Sequence, residues 1–224
     1  MDYFLNEDQK SVQDLARKIA KERVLPVRAE LDEKEEFPWG PLKYLADAGL
    51  FGVYIPEAYG GLGYGSFENC LAIEEISRVC IGVSVSFAAS GLGSYPILLF
   101  GTEEQKKKYL PDIASGRVLA AFGLTEAGAG SDAGGLRTTA RRDGDGYILN
   151  GTKQWITNGG EAEIYSVIAL TDKTKGPRGA SAFIVEKNTP GFTFGKKEKK
   201  LGIRCSVTRE LVFEDCRVPK ENLI

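Results

Sequence analysis

The chain has 224 residues, 42% of them hydrophobic and 27% charged, with a formal net charge of −2. That mixed-sign balance excludes a general nucleic-acid or membrane-surface binder, and the length allows one or two domains around a substantial core. There is no histidine at all, which removes Ser–His–Asp hydrolysis, His-ligated zinc and a histidine base together.

The opening MDYFLNEDQK is acidic and has no apolar run, so no signal peptide is expected. Up to about residue 117 the periodicity is helical. Asn6 reads as an N-cap with Gln9 as its capping-box partner. Val12, Leu15 and Ile19 follow at helical spacing until Pro26 stops the run. A second helix is predicted from about Pro41 through Leu42 and Leu45 to Gly49, where glycine can close it. Ser66 should cap a third, with Leu71, Ile73, Ile76 and Val79 inward. Residues 81–100, IGVSVSFAASGLGSYPILLF, are nearly free of charge. Their serines, glycines and Pro96 make poor hydrocarbon, so they predict a helix buried in a bundle rather than a membrane span. Thr102 and Gln105 form a second capping box ahead of Tyr109 and Leu110.

Beyond residue 117 the pattern becomes strand-like. Short apolar runs at VLAAFGLTE, GLRTTARR, GYILNGTKQWIT, IYSVIALT, ASAFIVEK, GFTFG and TRELVFED are punctuated by DGDG, TDKTKGPRG and NTPG. The DGDG segment is a hairpin signal. The expected class is therefore α+β: an N-terminal all-α helical bundle, about 1–117, followed by an all-β barrel or sandwich domain, about 118–224. The four cysteines (Cys70, Cys80, Cys205, Cys216) have no CxxC spacing and read as reduced, mostly buried thiols.

Two stretches stand out. AFGLTEAGAGSDAGG, residues 121–135, leaves a strand for a glycine-rich loop. It fails GxGxxG, because the third glycine falls at 134 rather than 133, and no helix follows to receive a pyrophosphate. Asp143 and Asp145 lack the remaining ligands of a calcium loop, no metal-ligand set is discernible, and neither GxSxG nor a GxxxxGK[ST] loop is present. Glycines leave main-chain N–H groups uncovered for a ligand, although a wide turn reads equally well. NGTKQWITNG, residues 150–159, sets a tryptophan, an isoleucine and a threonine between two Asn-Gly pairs. Trp155 alone reads as core, and Thr125 and Thr157 as ordinary strand threonines.

Together these stretches resemble the acyl-CoA dehydrogenase family of flavoenzymes, nearest its short- and medium-chain members. AFGLTEAGAGSD is similar to that family's first signature, usually written with proline where Ala127 stands. NGTKQWITNG is similar to its flavin-contacting segment, and LGIRCSVTRELVFEDCRVPKENL to the end of its β-domain. DAGLFGVYIPEAYGGLG and YPILLFGTEEQKKKYLPDIASG fit its N-terminal domain.

The resemblance implies flavin-dependent α,β-dehydrogenation of acyl-CoA thioesters with FAD as cofactor. It implies cofactor contacts from Phe122, Gly123, Leu124, Thr125, Glu126, Ala127, Gly128, Ala129, Gly130, Ser131, Trp155, Ile156 and Thr157. Leu124 and Thr125 would face the pyrimidine edge of the flavin, Trp155 its ring and Thr157 its N5 and O4 side. Ser131 would also meet the acyl-CoA pantetheine, and SGLGSYPILLF would line the acyl chain's path. The basic run Lys196, Lys197, Lys199 and Lys200 reads as a solvated turn. Glu126 is not the base: the family carries its catalytic glutamate in a third, C-terminal helical domain, expected to be absent here, so no catalytic residue is assigned. Implied partners are an electron-transfer flavoprotein as acceptor, and a chain supplying that third domain or a homo-oligomer. The expected location is the cytoplasm, or the mitochondrial matrix after loss of a transit peptide. A related flavin oxidase or monooxygenase, and a non-catalytic scaffold subunit, remain alternatives.

Overall fold

A computed structural model describes residues 4–224. By packing, the chain divides into two compact units. Among the described residues the first comprises 4–88, 110–117 and 199–206, and the second 89–109, 118–198 and 207–224.

The first unit is helical. In α1 (Glu7–Ile19) the Asn6 side chain accepts from the Gln9 amide at 2.8 Å, and the Gln9 side chain accepts from the Asn6 amide at 3.0 Å. The expected capping box is thus formed. Gln9 Nε2 also donates to Glu68 Oε1 at 2.9 Å, and Glu68 Oε2 accepts from the Gly65 amide at 2.8 Å. One amide side chain therefore ties the start of α1 to the start of α4 (Ser66–Ser77). The cap of α4 is Gly65, one residue before the expected Ser66. The inward face of α1 is Val12, Ala16 and Ile19, whereas Leu15 is 40% exposed. Spacing of four then three residues keeps those side chains on one stripe, and Leu15 falls beside it. On α4 the inward set is Leu71, Ala72, Glu75 and Ile76; Ile73 and Val79 are only half-buried. Arg17 lies across to Glu75, bonding both carboxylate oxygens at 3.0 and 2.9 Å.

A wider helical turn over Ala20–Val24 precedes the short α2 (Arg28–Glu33). The next helix, α3 (Trp39–Asp47), ends at Gly49, whose φ of +75° is the left-handed closure glycine permits. Phe51 meets Phe87 edge-on at 4.9 Å, within a core that includes Leu45, Leu50, Ile55 and Ile76.

Two helices, α5 (Ile81–Phe100) and α6 (Glu103–Ala114), contribute residues to both units. Among the described residues α5 alone is long and apolar enough to cross a membrane, but more than half of its apolar window is buried within the protein. In the second unit Ser90 Oγ accepts from the Ala120 amide at 3.2 Å, and Ser166 Oγ donates to the Gly93 carbonyl at 2.6 Å. A Cβ on Gly93 would stand 2.5 Å from the Ala121 nitrogen. These small residues let a strand backbone approach α5 closely. The face of α5 that bears Leu92, Leu99 and Phe100 stays exposed. At the head of α6, Thr102 and Gln105 form their capping box, with bonds of 2.9 and 3.2 Å.

The strands of the second unit form one curled mixed sheet, so the all-β expectation takes the form of a half-barrel. β1 (Ala120–Gly123) runs parallel to β4 (Ile164–Leu170), which pairs antiparallel with β5 (Ala180–Glu186) and meets Thr139 through Leu170. The DGDG hairpin joins β2 (Thr139–Asp143) to β3 (Gly146–Thr157), with Gly144 at φ +59°. β3 pairs along its length with β7 (Thr208–Pro219), which also takes β6 (Phe192–Phe194). Phe192 stacks on Phe213 at 4.9 Å and meets Tyr165 edge-on at the same separation, filling the curl.

Candidate functional site

Chain leaving β1 turns at Glu126, whose amide and carbonyl exchange bonds with Ala129 at 3.2 and 3.0 Å. The Glu126 carboxylate points inward and gathers three donors: Lys153 Nζ at 2.7 Å, the Arg137 amide at 2.6 Å and the Thr138 amide at 3.0 Å. The loop thereby closes on itself like a clasp. Lys153, fully buried on β3, also donates to the Leu124 carbonyl at 3.0 Å. Burial opposes ionisation of Glu126, but the Lys153 ammonium and the Thr138 and Arg137 donors outweigh it and hold the carboxyl below its ordinary value. Burial likewise pulls the Lys153 ammonium down, and Glu126 partly restores it. With three donors engaged on it, the Glu126 carboxylate is a structural group, and its main chain shapes the turn.

The second segment meets the first through main chain. The Gln154 amide donates to the Thr125 carbonyl at 2.8 Å. Between Lys153 and Ile156 the register of β3 against β7 shifts, since these residues oppose Leu211 and Arg209. Three steps on one strand answer two on the other, which is a β-bulge. Trp155 sits in it at φ +58° with its side chain 56% exposed. A bulky residue in left-handed backbone costs about 1–3 kcal/mol, and such strain gathers at functional sites. Without the bulge the period-two alternation would carry Ile156 and Thr157 to the other faces. With it, Ile156 is buried, Thr157 pairs with Thr208 and stays half-buried, and Trp155 is turned outward. Asn158 then ends the strand, its amide on the Val207 carbonyl at 3.0 Å and its side chain reaching the Ala120 carbonyl at 3.4 Å.

Of the expected residues, Leu124–Glu126 are tied directly to Lys153 and Gln154, and Trp155–Thr157 continue that strand. Ala127, Gly128, Gly130 and Ser131 are exposed, while Phe122, Leu124 and Thr125 are half-buried. Gly123, Glu126, Ala129 and Ile156 are buried and serve the frame. A Cβ added to Gly128 or Gly130 would meet nothing within 4 Å, so nothing in the chain itself requires glycine there. Uncovered loop main chain, and an outward-held indole on the strand tied to that loop, suit a large planar ligand with polar edges. Only a single tight turn, Ala133–Gly135, follows the loop, so no helix N-terminus stands behind it.

Sequence reasoning missed Lys153. Its signal was parity: Leu149, Gly151 and Lys153 share one side of β3, and Leu149 is core. A lysine on the inward side requires a buried acid, and Glu126 is that acid.

Models for two domains match the chain: the acyl-CoA dehydrogenase N-terminal domain over residues 6–117 and the acyl-CoA dehydrogenase middle domain over 121–216. The chain is 48% identical over 221 residues to an acyl-CoA dehydrogenase of Bacillus subtilis (strain 168), covering 98% of this chain and 58% of that relative. It matches a solved structure of butyryl-CoA dehydrogenase from Megasphaera elsdenii at 44% identity and a TM-score of 0.96, covering all of this chain and 60% of that one. A chain in a structure of the electron transferring flavoprotein of Acidaminococcus fermentans matches at 49% identity and a TM-score of 0.96, over all of this chain and 59% of that one. An acyl-CoA dehydrogenase from Bacillus anthracis solved with FAD matches at 43% identity and a TM-score of 0.88, over 98% of this chain and 37% of that one.

Proposed function

The chain belongs to the acyl-CoA dehydrogenase family, and from that premise we propose that it supplies the FAD- and acyl-CoA-facing half-site of an enzyme that desaturates acyl-CoA thioesters between the α and β carbons. The observation that carries the reading is the bulge at Trp155, which holds an exposed indole in strained backbone next to Gln154, whose amide ties this strand to the start of the glycine loop at Thr125. The chemistry FAD supplies when bound is acceptance of a hydride from the acyl β carbon.

In this reading the Leu124 amide and Thr125 hydroxyl donate to the pyrimidine edge of the ring, where negative charge collects on reduction. Trp155 covers the ring and keeps water from it, and Thr157 donates near N5 and O4. Ser131, exposed at the far side of the loop, meets the pantetheine arm. Lys153 and Glu126 touch no ligand; they fix the loop so that these donors are aimed before binding. Removal of the α proton calls for a carboxylate with a free lone pair. Three donors already hold the Glu126 carboxylate, so we assign it no part as that base. An electron-transfer flavoprotein is the proposed acceptor.

The test uses Trp39→Phe as background, leaving Trp155 as the sole indole. Titrated FAD is expected to quench the emission and to perturb the visible bands of the flavin. Indole emission unchanged at saturating FAD overturns the proposal. Butyryl-CoA with an artificial electron acceptor should give no turnover by this chain alone.

A further inference from the structure

The first unit holds two sulfurs that this function does not use. Cys80 stands immediately before α5, close to the Gly82 and Val83 amides. Cys205, fully buried, neighbours the Cys80 sulfur. It reaches that position because residue 82 is glycine: a Cβ there would meet Cys205 Sγ at 2.4 Å. Asp32 fixes the approach, its carboxylate accepting from the Arg204 amide at 2.9 Å, and Arg204 in turn pairs with Glu35 at 2.8 Å.

The two thiols differ in access. Cys80 is half-buried and lines a cavity of 540 Å³ together with Arg28, Asp32, Ser77 and Ile203. Its hydrogen bond from Cys205, aided by the Gly82 and Val83 amides against the effect of burial, brings Cys80 down to about 6. The same contact, with burial, drives Cys205 upward. A half-buried thiol open to a cavity, with a fully buried thiol behind it, is the arrangement of an attacking and a resolving cysteine. The other cysteines lack it: Cys70 is exposed on α4, and burial alone pushes Cys216 up to about 11.

We propose that Cys80 and Cys205 form a hydroperoxide-reactive pair that closes into a disulfide between the start of α5 and the segment 199–206. The Cys80 thiolate attacks the O–O bond of a hydroperoxide and loses two electrons to it, giving a sulfenic acid while an alcohol, or water from hydrogen peroxide, leaves. Cys205 sulfur then displaces the hydroxyl from Cys80 sulfur, and the departing oxygen takes the thiol proton as water. In sum, two thiols and one hydroperoxide give one disulfide, one alcohol and one water. The disulfide would tether the two segments through one covalent link, and a dithiol would reopen it.

The whole chain is titrated with hydrogen peroxide, alkylated and digested without reductant for mass spectrometry. The expected result is loss of the free Cys80 and Cys205 thiols together, appearance of a peptide joining them, and its disappearance with dithiothreitol, while Cys70 and Cys216 remain alkylated. In Cys205→Ser, dimedone should label Cys80, because the sulfenic acid then has no thiol to resolve it. Oxidation of Cys70 ahead of Cys80, or an unlinked Cys80 together with no dimedone adduct in Cys205→Ser, overturns the proposal.

Discussion

Lys153 Nζ lies 2.7 Å from Glu126 Oε1, and the two side chains are 0% and 9% exposed. Removing one partner of such a pair leaves a buried charge, whereas removing both leaves a packing problem only. Lys153→Met is expected to destabilise by about 3 kcal/mol. The double variant Glu126→Leu/Lys153→Leu should recover much of that loss in a denaturant double-mutant cycle. Equal and additive costs would show that the pair does not hold the loop.

The same pair sets an acid dependence. Glu126 is held below its ordinary value when folded, so its contribution is complete above the unfolded carboxyl pKa of about 4.3 and is lost as pH falls through the folded value. Wild-type stability should therefore decline below about pH 4 more steeply than that of Glu126→Gln, in urea melts at matched ionic strength.

Trp155 carries strain that glycine would not. Trp155→Gly should raise the thermal midpoint by about 2–4 °C, equivalent to about 1 kcal/mol, because an indole this exposed gives up little burial. The same change should abolish the FAD-dependent perturbation. A variant that is both less stable and equally competent for FAD contradicts the bulge argument.

Glycines at two places make opposite predictions. Gly93→Ala forces a Cβ to within 2.5 Å of the Ala121 nitrogen, backbone that cannot yield, and should cost about 1–3 kcal/mol. Alanine at Gly128 or Gly130 meets nothing within 4 Å and should change stability by less than about 0.5 kcal/mol while weakening FAD binding. Unaltered FAD binding would show that the open main chain is not the cradle.

Gln105 is 4% exposed, and its Nε2 donates to the Glu221 and Leu223 carbonyls at 2.6 and 2.9 Å. Gln105→Ala should release residues 221–224 as well as uncap α6. Hydrogen exchange at the Leu223 amide, bonded to Lys220 at 3.1 Å, is expected to accelerate well before global unfolding.

Local chemistry was legible in the sequence. The Asn6–Gln9 and Thr102–Gln105 boxes, the 81–100 helix and the DGDG hairpin are each written within a few residues of themselves. Non-local relationships were not. Leu15 and Ala16 differ by one helical step, and only the position of α4 decides which faces inward. The Trp155 bulge needs the count of residues on β7, more than fifty positions away, and the Lys153–Glu126 pair needs β3 placed beside the exit of β1. The glycine loop was readable as unusual composition, but the clasp that closes it was not.

That clasp has a biochemical consequence. Arg137 is exposed and looks like an easy target for trypsin, yet the nitrogen of its scissile bond belongs to Thr138 and is held by Glu126. A protease needs that peptide to adopt an extended, detached strand in its own cleft. Cleavage after Arg137 should thus wait until the ion pair opens, making a nick at this one bond a gel-readable clock for local breathing of the loop.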